Sequence, residues 1–383
     1  MFEFATARRI IFGAGTLHKI GPIAAEMGHC ALVVTGRNIT RARPLFDELG
    51  EQGLKSVDFR AVEEPNTIVV SEATELARKT GCDLVIGFGG GSALDAGKAV
   101  AALLGNDGVP EDYLEIIGKG KQLTRPSAPY IAIPTTSGTG SEVTRNAVLV
   151  SPERKIKVSM RSPFMLPRLA LVDPELTHDL PPETTASTGL DALTQLIEPY
   201  TSNRANPITD ALCSDGMRRV SRSLVRAFKH GHDASAREDM ALASLFGGLA
   251  LANAGLGIVH GIAGPLGGRF DAPHGAVCAR ILPHAMEVNI AALAKRLPHS
   301  EALRRYDEVA RCLTDSETSK AGDGVTWVKE LCGSLHIPPL ASYGVTLEDL
   351  PGLVEDAILA SSTKGNAVPL TKDEIHQILM RAL

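Results

Sequence analysis

Two histidines, His260 and His274, stand close together in a segment that is nearly free of charged side chains. Upstream, Asp191 and Gln195 are separated by one helical turn, so a helix there would place both side chains on one face. Imidazole nitrogens and a carboxylate that converge on one point form a site for a divalent transition metal. Such a metal polarises an alcohol or carbonyl oxygen. We therefore expect Asp191, His260 and His274 to be catalytic and to hold a metal.

A glycine-rich segment, Gly87–Lys98, follows a predicted buried strand and opens a predicted helix. Three consecutive glycines let the backbone turn sharply and approach a ligand closely. The helix N-terminus then presents free N–H groups and a partial positive charge to a phosphate. Ser92 and Asp95 are predicted to form a capping box at that start. A well-capped tight turn is the alternative, but the order of strand, glycines and helix favours phosphate binding.

A second polar loop, Pro134–Glu142, follows another predicted strand and offers five hydroxyls and two glycines. Such a loop can hydrogen-bond to a ribose, a phosphate or a carboxamide. The alternative is an ordinary solvated turn.

The composition limits the class of protein. A chain of 383 residues exceeds what one core usually serves, so we expect two domains. The net charge of −5, without a long run of one sign, gives no electrostatic footprint for nucleic acid. The six cysteines are scattered along the chain, which indicates reduced thiols. The N-terminal segment lacks the pattern of a secretory signal. We therefore expect a cytoplasmic protein.

A segment without Asp, Glu, Lys or Arg runs from Met240 to Gly268, and by length alone it could span a membrane. It also contains Asn253, His260, Pro265 and many glycines. Small residues also suit tight helix packing inside a soluble domain, and we expect no membrane partner.

The two halves of the chain differ in pattern. Before about residue 180, apolar runs at 30–35, 82–88 and 130–134 alternate with helical stretches such as 70–80 and 92–104, which predicts a mostly parallel sheet. After Leu180, helical periodicity continues to the C-terminus. We predict an α/β domain at 1–180 and an all-α domain at 181–383, with a ligand cleft between them.

Together these segments resemble the iron-containing (group III) alcohol dehydrogenase family over essentially the whole chain. The motifs that carry the resemblance are Glu64-Pro-Asn66, Gly89-Gly-Gly-Ser92 with Asp95 and Lys98, Pro134–Glu142, Gly189–Thr194, His260 and Pro273-His-Gly275. The resemblance implies an N-terminal dinucleotide-binding domain and an all-α C-terminal domain, similar in architecture to dehydroquinate synthase. It also implies NAD(P)-dependent interconversion of an alcohol and an aldehyde or ketone, assisted by Fe²⁺ or Zn²⁺. We expect a small-molecule substrate and a homodimer.

In that family one Asp and three His hold the metal. Asp191, His260 and His274 match three of these ligands, whereas the fourth position falls on Gln195. The family's histidine four residues after the ligand that matches His260 is replaced by Gly264. An amide oxygen is a poorer donor than imidazole, so Gln195 is either a weak ligand or leaves a position open to water. The metal is absent altogether in the maleylacetate reductase branch.

The resemblance and the loops together predict the cofactor site. The predicted cofactor-binding residues are Gly36, Asn66, Gly89, Gly90, Gly91, Ser92, Asp95, Thr135, Thr136, Thr139 and Lys157. Gly36 aligns with the Asp that binds the ribose 2′-hydroxyl in NAD-preferring members. Glycine removes that charge and bulk, and Arg37 could supply a cation, so we expect NADP(H) to be accepted. Alternatively, Gly36 only forms the turn and Arg37 points into water.

Two rival functions remain open. One is a metal-independent reductase that binds an oxo acid through charged side chains such as Arg145 or Lys157. The other is a nucleotide-binding homologue that has lost activity, in view of Gln195 and Gly264.

Overall fold

The computed structural model describes residues 1–61, 64–115, 117–154 and 156–383. The chain divides into two compact units. The α/β unit comprises Ala5–Thr136 and Gly140–Thr177, and the helical unit comprises Met1–Phe4, Ser137–Thr139 and His178–Leu383.

The α/β unit is built on a six-stranded parallel sheet and a separate antiparallel hairpin. The strands are β1 Ile10–Phe12, β2 Cys30–Thr35, β3 Lys55–Arg60, β4 Leu84–Gly89, β5 Tyr130–Pro134, β6 Asn146–Ser151, β7 Ile156–Arg161 and β8 Leu169–Val172. The helices are α1 Ile20–Ala25, α2 Arg43–Glu51, α3 Thr67–Thr80, α4 Gly91–Gly105 and α5 Pro110–Tyr113. The sheet order is β1-β8-β5-β4-β2-β3, and β6 pairs with β7 in the hairpin.

The central strands β2, β4 and β5 are buried at every position, because helices cover both faces of a parallel sheet. Successive side chains of β2 point to opposite faces. Leu32 and Val34 pack into one hydrophobic core, whereas Ala31 and Val33 pack into the other. The buried runs predicted at 30–35 and 130–134 are therefore strands with the predicted bounds.

The chain reverses its winding direction between β2 and β4. These strands are neighbours, with β3 outside β2 and β5 outside β4. In such a sheet the carboxyl ends of the two strands border a crevice that binds ligands. Gly36 follows β2 and Gly89 ends β4; a Cβ on Gly89 would lie 2.7 Å from the Cβ of Ala93 and 3.5 Å from the backbone nitrogen of Gly36. Only glycine permits this close approach.

The helical unit contains nine α-helices and no strand among its described residues. They are α6 Pro182–Thr201, α7 Pro207–Lys229, α8 Ala234–Ala254, α9 Ile258–Arg269, α10 His274–Arg296, α11 Glu301–Thr314, α12 Ala321–Ser334, α13 Leu350–Leu359 and α14 Lys372–Ala382. The predicted fold class, a parallel α/β region followed by a helical region, is confirmed.

In the described part of the chain one helix, α10, is long and apolar enough to cross a membrane, but 72% of its apolar window is buried within the structure. Helices α8 and α9, which contain the uncharged segment, are bent by 100° relative to each other. Burial of this kind is typical of core helices.

The capping box predicted at Ser92 and Asp95 is wrong. Gly90 is the N-cap of α4, and no side chain caps the helix. Asp95 instead accepts hydrogen bonds from the Ser141 hydroxyl at 2.5 Å and from the Val148 N–H at 2.9 Å. A local sequence pattern cannot reveal these partners, which lie far along the chain and draw the carboxylate away from the helix start.

Lys98 on the same helix is fully buried beside Asp95. Its Nζ lies 2.7–2.9 Å from four oxygens of Ser141, Thr144 and Asn146, and 3.6 Å from Asp95 Oδ1. Burial lowers the pKa of Lys98, and the charge of Asp95 opposes this effect. The ammonium group thus joins α4 to the segment that leads into β6.

We predict that Lys98→Met lowers the free energy of unfolding by about 3–5 kcal/mol, because the Asp95 charge and the buried oxygens lose their partner. Urea unfolding monitored by circular dichroism measures this change. The exposed Lys79→Met on α3 is the control and should change stability by less than about 0.5 kcal/mol. A loss for Lys98→Met as small as that of the control would contradict the assignment.

Candidate metal centre

Helix α6 carries three polar side chains on one buried face. Asp191, Gln195 and Glu198 follow one another at helical spacing, and their exposed fractions are only 2%, 3% and 7%. Polar groups buried to this degree require partners, so this face of α6 must meet other polar groups.

Helix α9 brings His260 to this face in its first turn. The close approach depends on Gly257, because a Cβ there would lie 2.8 Å from Glu198 Oε1 and 2.9 Å from Asn366 Oδ1. These two oxygens accept hydrogen bonds from the first N–H groups of α9, Val259 at 2.7 Å and Ile258 at 3.2 Å. The side chains thus satisfy donors that a helix start leaves free.

Glu198 also fixes the orientation of His260. The other carboxylate oxygen, Oε2, lies 2.6 Å from His260 Nδ1. Because a carboxylate only accepts hydrogen bonds, Nδ1 carries the proton and Nε2 is directed elsewhere. His260 Nε2 lies 3.3 Å from Asp191 Oδ1. A carboxylate behind a histidine in this way is the usual support of a metal-binding imidazole.

Helix α10 supplies the second histidine at its first residue, His274. A Cβ on Gly275 would lie 2.3 Å from the carbonyl oxygen of Ser187, so glycine is needed for α10 to approach α6 this closely. His274 Nε2 lies 3.9 Å from Asp191 Oδ1, and the two histidine rings are 5.5 Å apart. One turn further along α10, the buried Cys278 Sγ lies 3.6 Å from His274 Nε2.

These side chains suit a divalent ion. The ligand atoms of Asp191, His260, His274 and Cys278 all lie within 4.8 Å of one another. Asp191 Oδ1 and His260 Nε2 are buried without a hydrogen-bond partner, as is Gln195 Oε1. Metal–ligand bonds of about 2.0–2.3 Å require ligand atoms at roughly these mutual separations. Within the described ranges this is the one such cluster.

The charges of the cluster reinforce one another. Burial raises the pKa of Asp191, but contact with His260 and the charge of His274 outweigh it and the net shift is downward. Burial lowers the pKa of His260, but the charge of Cys278 and contact with Asp191 raise it well above 6.5. Burial raises the pKa of the Cys278 thiol, but the charges of His274 and His260 outweigh it, and the net shift is downward. The cluster therefore favours anionic oxygen and sulfur beside cationic partners.

The structure brings Asp191, His260 and His274 together, as the sequence predicted. Gln195 lies one turn after Asp191 on the same buried face of α6, and its Oε1 has no hydrogen-bond partner. Sequence reasoning missed Glu198 and Cys278. Helical spacing gives a partial signal for both, since it places Glu198 on the face of Asp191, two turns later, and Cys278 on the face of His274, one turn later.

The predicted phosphate-binding loop lies at the carboxyl edge of the sheet, next to Gly36. The loop after β5 runs beside it: the Thr135 N–H donates to the Gly89 carbonyl at 2.9 Å. A Cβ on Gly90 would lie 3.3 Å from Cγ2 of Thr136. Gly91 and Ser92 form the partly exposed first turn of α4. These loops therefore present backbone N–H groups and hydroxyls at one edge.

Other predicted cofactor residues have protein partners. Asn66 caps α3 by accepting from the Val69 N–H at 2.9 Å. Lys157 Nζ pairs with Glu64 Oε1 at 3.1 Å. Thr139 belongs to the helical unit, whereas Thr135 belongs to the α/β unit.

The position of Gly264, where the family's histidine is missing, is open. A Cβ built there meets no described atom within 4 Å.

Comparisons with known proteins match nearly the whole chain. Residues 7–174 match the iron-containing alcohol dehydrogenase family, and residues 185–383 match the C-terminal region of the Fe-containing alcohol dehydrogenase family. Among characterised relatives, a choline dehydrogenase of Bacillus subtilis (strain 168) is 34% identical over 385 residues, which covers 99% of this chain and 94% of that protein.

Solved structures show the same fold. A 1,3-propanediol oxidoreductase superposes with a TM-score of 0.93 at 32% identity and covers both chains completely. A sulfoacetaldehyde reductase from Bifidobacterium kashiwanohense, in complex with NAD⁺, superposes with a TM-score of 0.88 at 29% identity, covering 100% of this chain and 98% of that one. The predicted NAD(P)-dependent alcohol dehydrogenase activity and the iron and NAD(P) cofactors are those of this family. The resemblance is thus confirmed, and the chain belongs to the iron-containing alcohol dehydrogenase family.

Proposed function

We propose that Asp191, His260 and His274 hold a divalent metal, Fe²⁺ or Zn²⁺, at which this enzyme interconverts a small-molecule alcohol and its aldehyde or ketone. The observation that carries the proposal is the pair of unpartnered buried atoms, Asp191 Oδ1 and His260 Nε2, at 3.3 Å from each other. When bound, the metal supplies a Lewis acid that lowers the pKa of the substrate alcohol.

The side chains around the metal have distinct tasks. Asp191 supplies a buried, negatively charged carboxylate. Glu198 keeps the proton of His260 on Nδ1 and aims Nε2 at Asp191. Gln195 lies on the next turn of α6 with its Oε1 buried and unpartnered, and it stays a candidate weak ligand. His274 is less buried, with 32% of its side chain exposed, so this side of the cluster gives substrate its access.

We propose further that residues 1–180 hold the dinucleotide and residues 181–383 hold the metal. The pyrophosphate rests on the first turn of α4, at Gly89 to Ser92, since a helix N-terminus after a glycine-rich turn attracts phosphate. Thr135, Thr136 and Thr139 hydrogen-bond to the nucleotide.

Asn66, Asp95 and Lys157 belong to the cofactor site through their influence on the backbone around it. Backbone contacts support this for two of them, since Asn66 accepts from the Val69 N–H at the start of α3 and Asp95 accepts from the Val148 N–H in β6, whereas Lys157 pairs with the Glu64 side chain.

We also propose that the enzyme is located in the cytoplasm and forms a homodimer. All six cysteines are buried free thiols, as suits a reducing compartment.

The metal assignment predicts that His260→Ala and His274→Ala lose both metal and turnover, with kcat/KM reduced by more than about 100-fold. Elemental analysis gives the metal per chain, and nicotinamide absorbance follows hydride transfer. The exposed His299→Ala is the control and should retain both. Full activity of both variants without metal would favour the metal-independent reductase instead.

Removing the charge behind His260 should weaken metal binding. We predict that Glu198→Gln lowers the metal affinity about 10–100-fold, because a support of a metal-binding imidazole is lost. Competition with a chromophoric chelator measures the affinity. Glu183→Gln, an exposed change on the first turn of α6, is the matched control. Equal affinities in the two variants would show that Glu198 does not support the ligand.

Because Gly36 lacks a carboxylate that would repel a 2′-phosphate, we predict that the enzyme accepts NADP(H). A Cβ at Gly36 meets no described atom within 4 Å, so Gly36→Asp fits without a clash. This variant should shift the ratio of kcat/KM values toward NADH by at least tenfold, about 1.4 kcal/mol, since the new carboxylate repels a 2′-phosphate.

Gly50→Asp, at an exposed and equally open glycine of α2, is the control and should leave the ratio unchanged. A wild-type preference for NADH of about 100-fold, about 2.7 kcal/mol, would contradict the prediction, as would an unaltered ratio in Gly36→Asp.

A further inference from the structure

We propose that Cys278 is the fourth protein ligand of the metal, and that its thiolate takes the place of the imidazole that is missing at Gln195. The inference rests on the proposed metal site at Asp191, His260 and His274, and it adds a ligand that the family pattern does not contain.

The first argument is position. Cys278 lies one turn after His274 on α10, so both side chains occupy one helical face. The thiol is completely buried, and its sulfur belongs to the group of four ligand atoms that lie within 4.8 Å of one another. Asp191 Oδ1 and His260 Nε2 are buried in the same group without hydrogen-bond partners.

The second argument is distance. In a tetrahedral site with metal–sulfur bonds of about 2.3 Å and metal–nitrogen bonds of about 2.0–2.1 Å, the edge from nitrogen to sulfur is about 3.6 Å. The distance from Cys278 Sγ to His274 Nε2 is 3.6 Å. The corresponding edge from oxygen to nitrogen is about 3.3 Å, and Asp191 Oδ1 lies 3.3 Å from His260 Nε2. A further separation, from Asp191 Oδ1 to His274 Nε2, is 3.9 Å, and all pairs of the four ligand atoms lie within 4.8 Å.

The third argument concerns Gln195. Its Cβ and Oε1 lie 3.2 and 3.6 Å from where a Cβ on Gly247 would stand, so the side chain packs against α8. A neutral amide oxygen is a weak donor for a divalent transition metal, whereas Cys278 on α10 offers a thiolate within the same group of ligand atoms.

A thiolate changes the chemistry of the site. On binding, the Cys278 thiol gives its proton to solvent and its sulfur forms a bond to the metal. Two anionic ligands, the Asp191 carboxylate and the thiolate, then neutralise the charge of a divalent ion. A soft sulfur donor with imidazoles and a carboxylate suits Zn²⁺ as well as Fe²⁺.

The test uses Co²⁺ as a spectroscopic probe in the full-length protein. Wild-type protein loaded with one Co²⁺ per chain should show thiolate-to-cobalt charge-transfer absorption in the near ultraviolet. Cys278→Ala should bind Co²⁺ more weakly and lose this band. Cys213→Ala, at another fully buried cysteine of the helical unit, is the matched control and should retain both.

The outcomes separate this inference from the proposed function. A wild-type protein that binds one Co²⁺ without the band, or a Cys278→Ala variant that keeps it, would overturn the thiolate ligand while leaving the metal site intact. A wild-type protein that binds no Co²⁺ would overturn both.

If Cys278→Ala fails to fold, X-ray absorption of zinc-loaded wild-type protein decides the question. One sulfur neighbour at about 2.3 Å is the expected result, and a shell of only nitrogen and oxygen would contradict the proposal.

Discussion

The Glu198 carboxylate on α6 binds two groups of α9 at once, the backbone N–H of Val259 and the ring N–H of His260. The first bond anchors the helix start, and the second selects the imidazole nitrogen that faces Asp191. Both bonds are buried, where loss of a partner leaves a polar group uncompensated. The geometry of the proposed metal centre therefore depends on the same side chain that joins the two helices.

Glycine makes the required approaches possible. Gly257 lets α9 reach Glu198, and Gly275 lets α10 reach α6, because a Cβ at either position would collide with oxygen atoms. In the α/β unit, Gly89 has the corresponding task beside Gly36, at the crevice between β2 and β4. Each unit thus brings its elements into close contact at the proposed site by omitting a side chain.

The sequence predicted what depends on local pattern. Buried apolar runs located β2 and β5 at their observed bounds, since period and length identify a central strand. The capping box failed because the partners of Asp95, Ser141 and Val148, are supplied by the tertiary fold.

Within the proposed metal centre, family motifs indicated Asp191, His260 and His274. Glu198 and Cys278 escaped notice because their significance depends on which helix packs against them. Helical spacing restricts such residues to a face, but only packing shows what that face meets. Gln195 illustrates the same point, since its neighbour Gly247 lies on a different helix.

Anomalous X-ray scattering from crystals of the metal-loaded enzyme tests the central claim most directly. Data collected at the absorption edge of iron or zinc should show one peak per chain, at about 2.0–2.2 Å from Asp191 Oδ1, His260 Nε2 and His274 Nε2. Loaded crystals of an active enzyme with no peak at these three atoms would contradict the account.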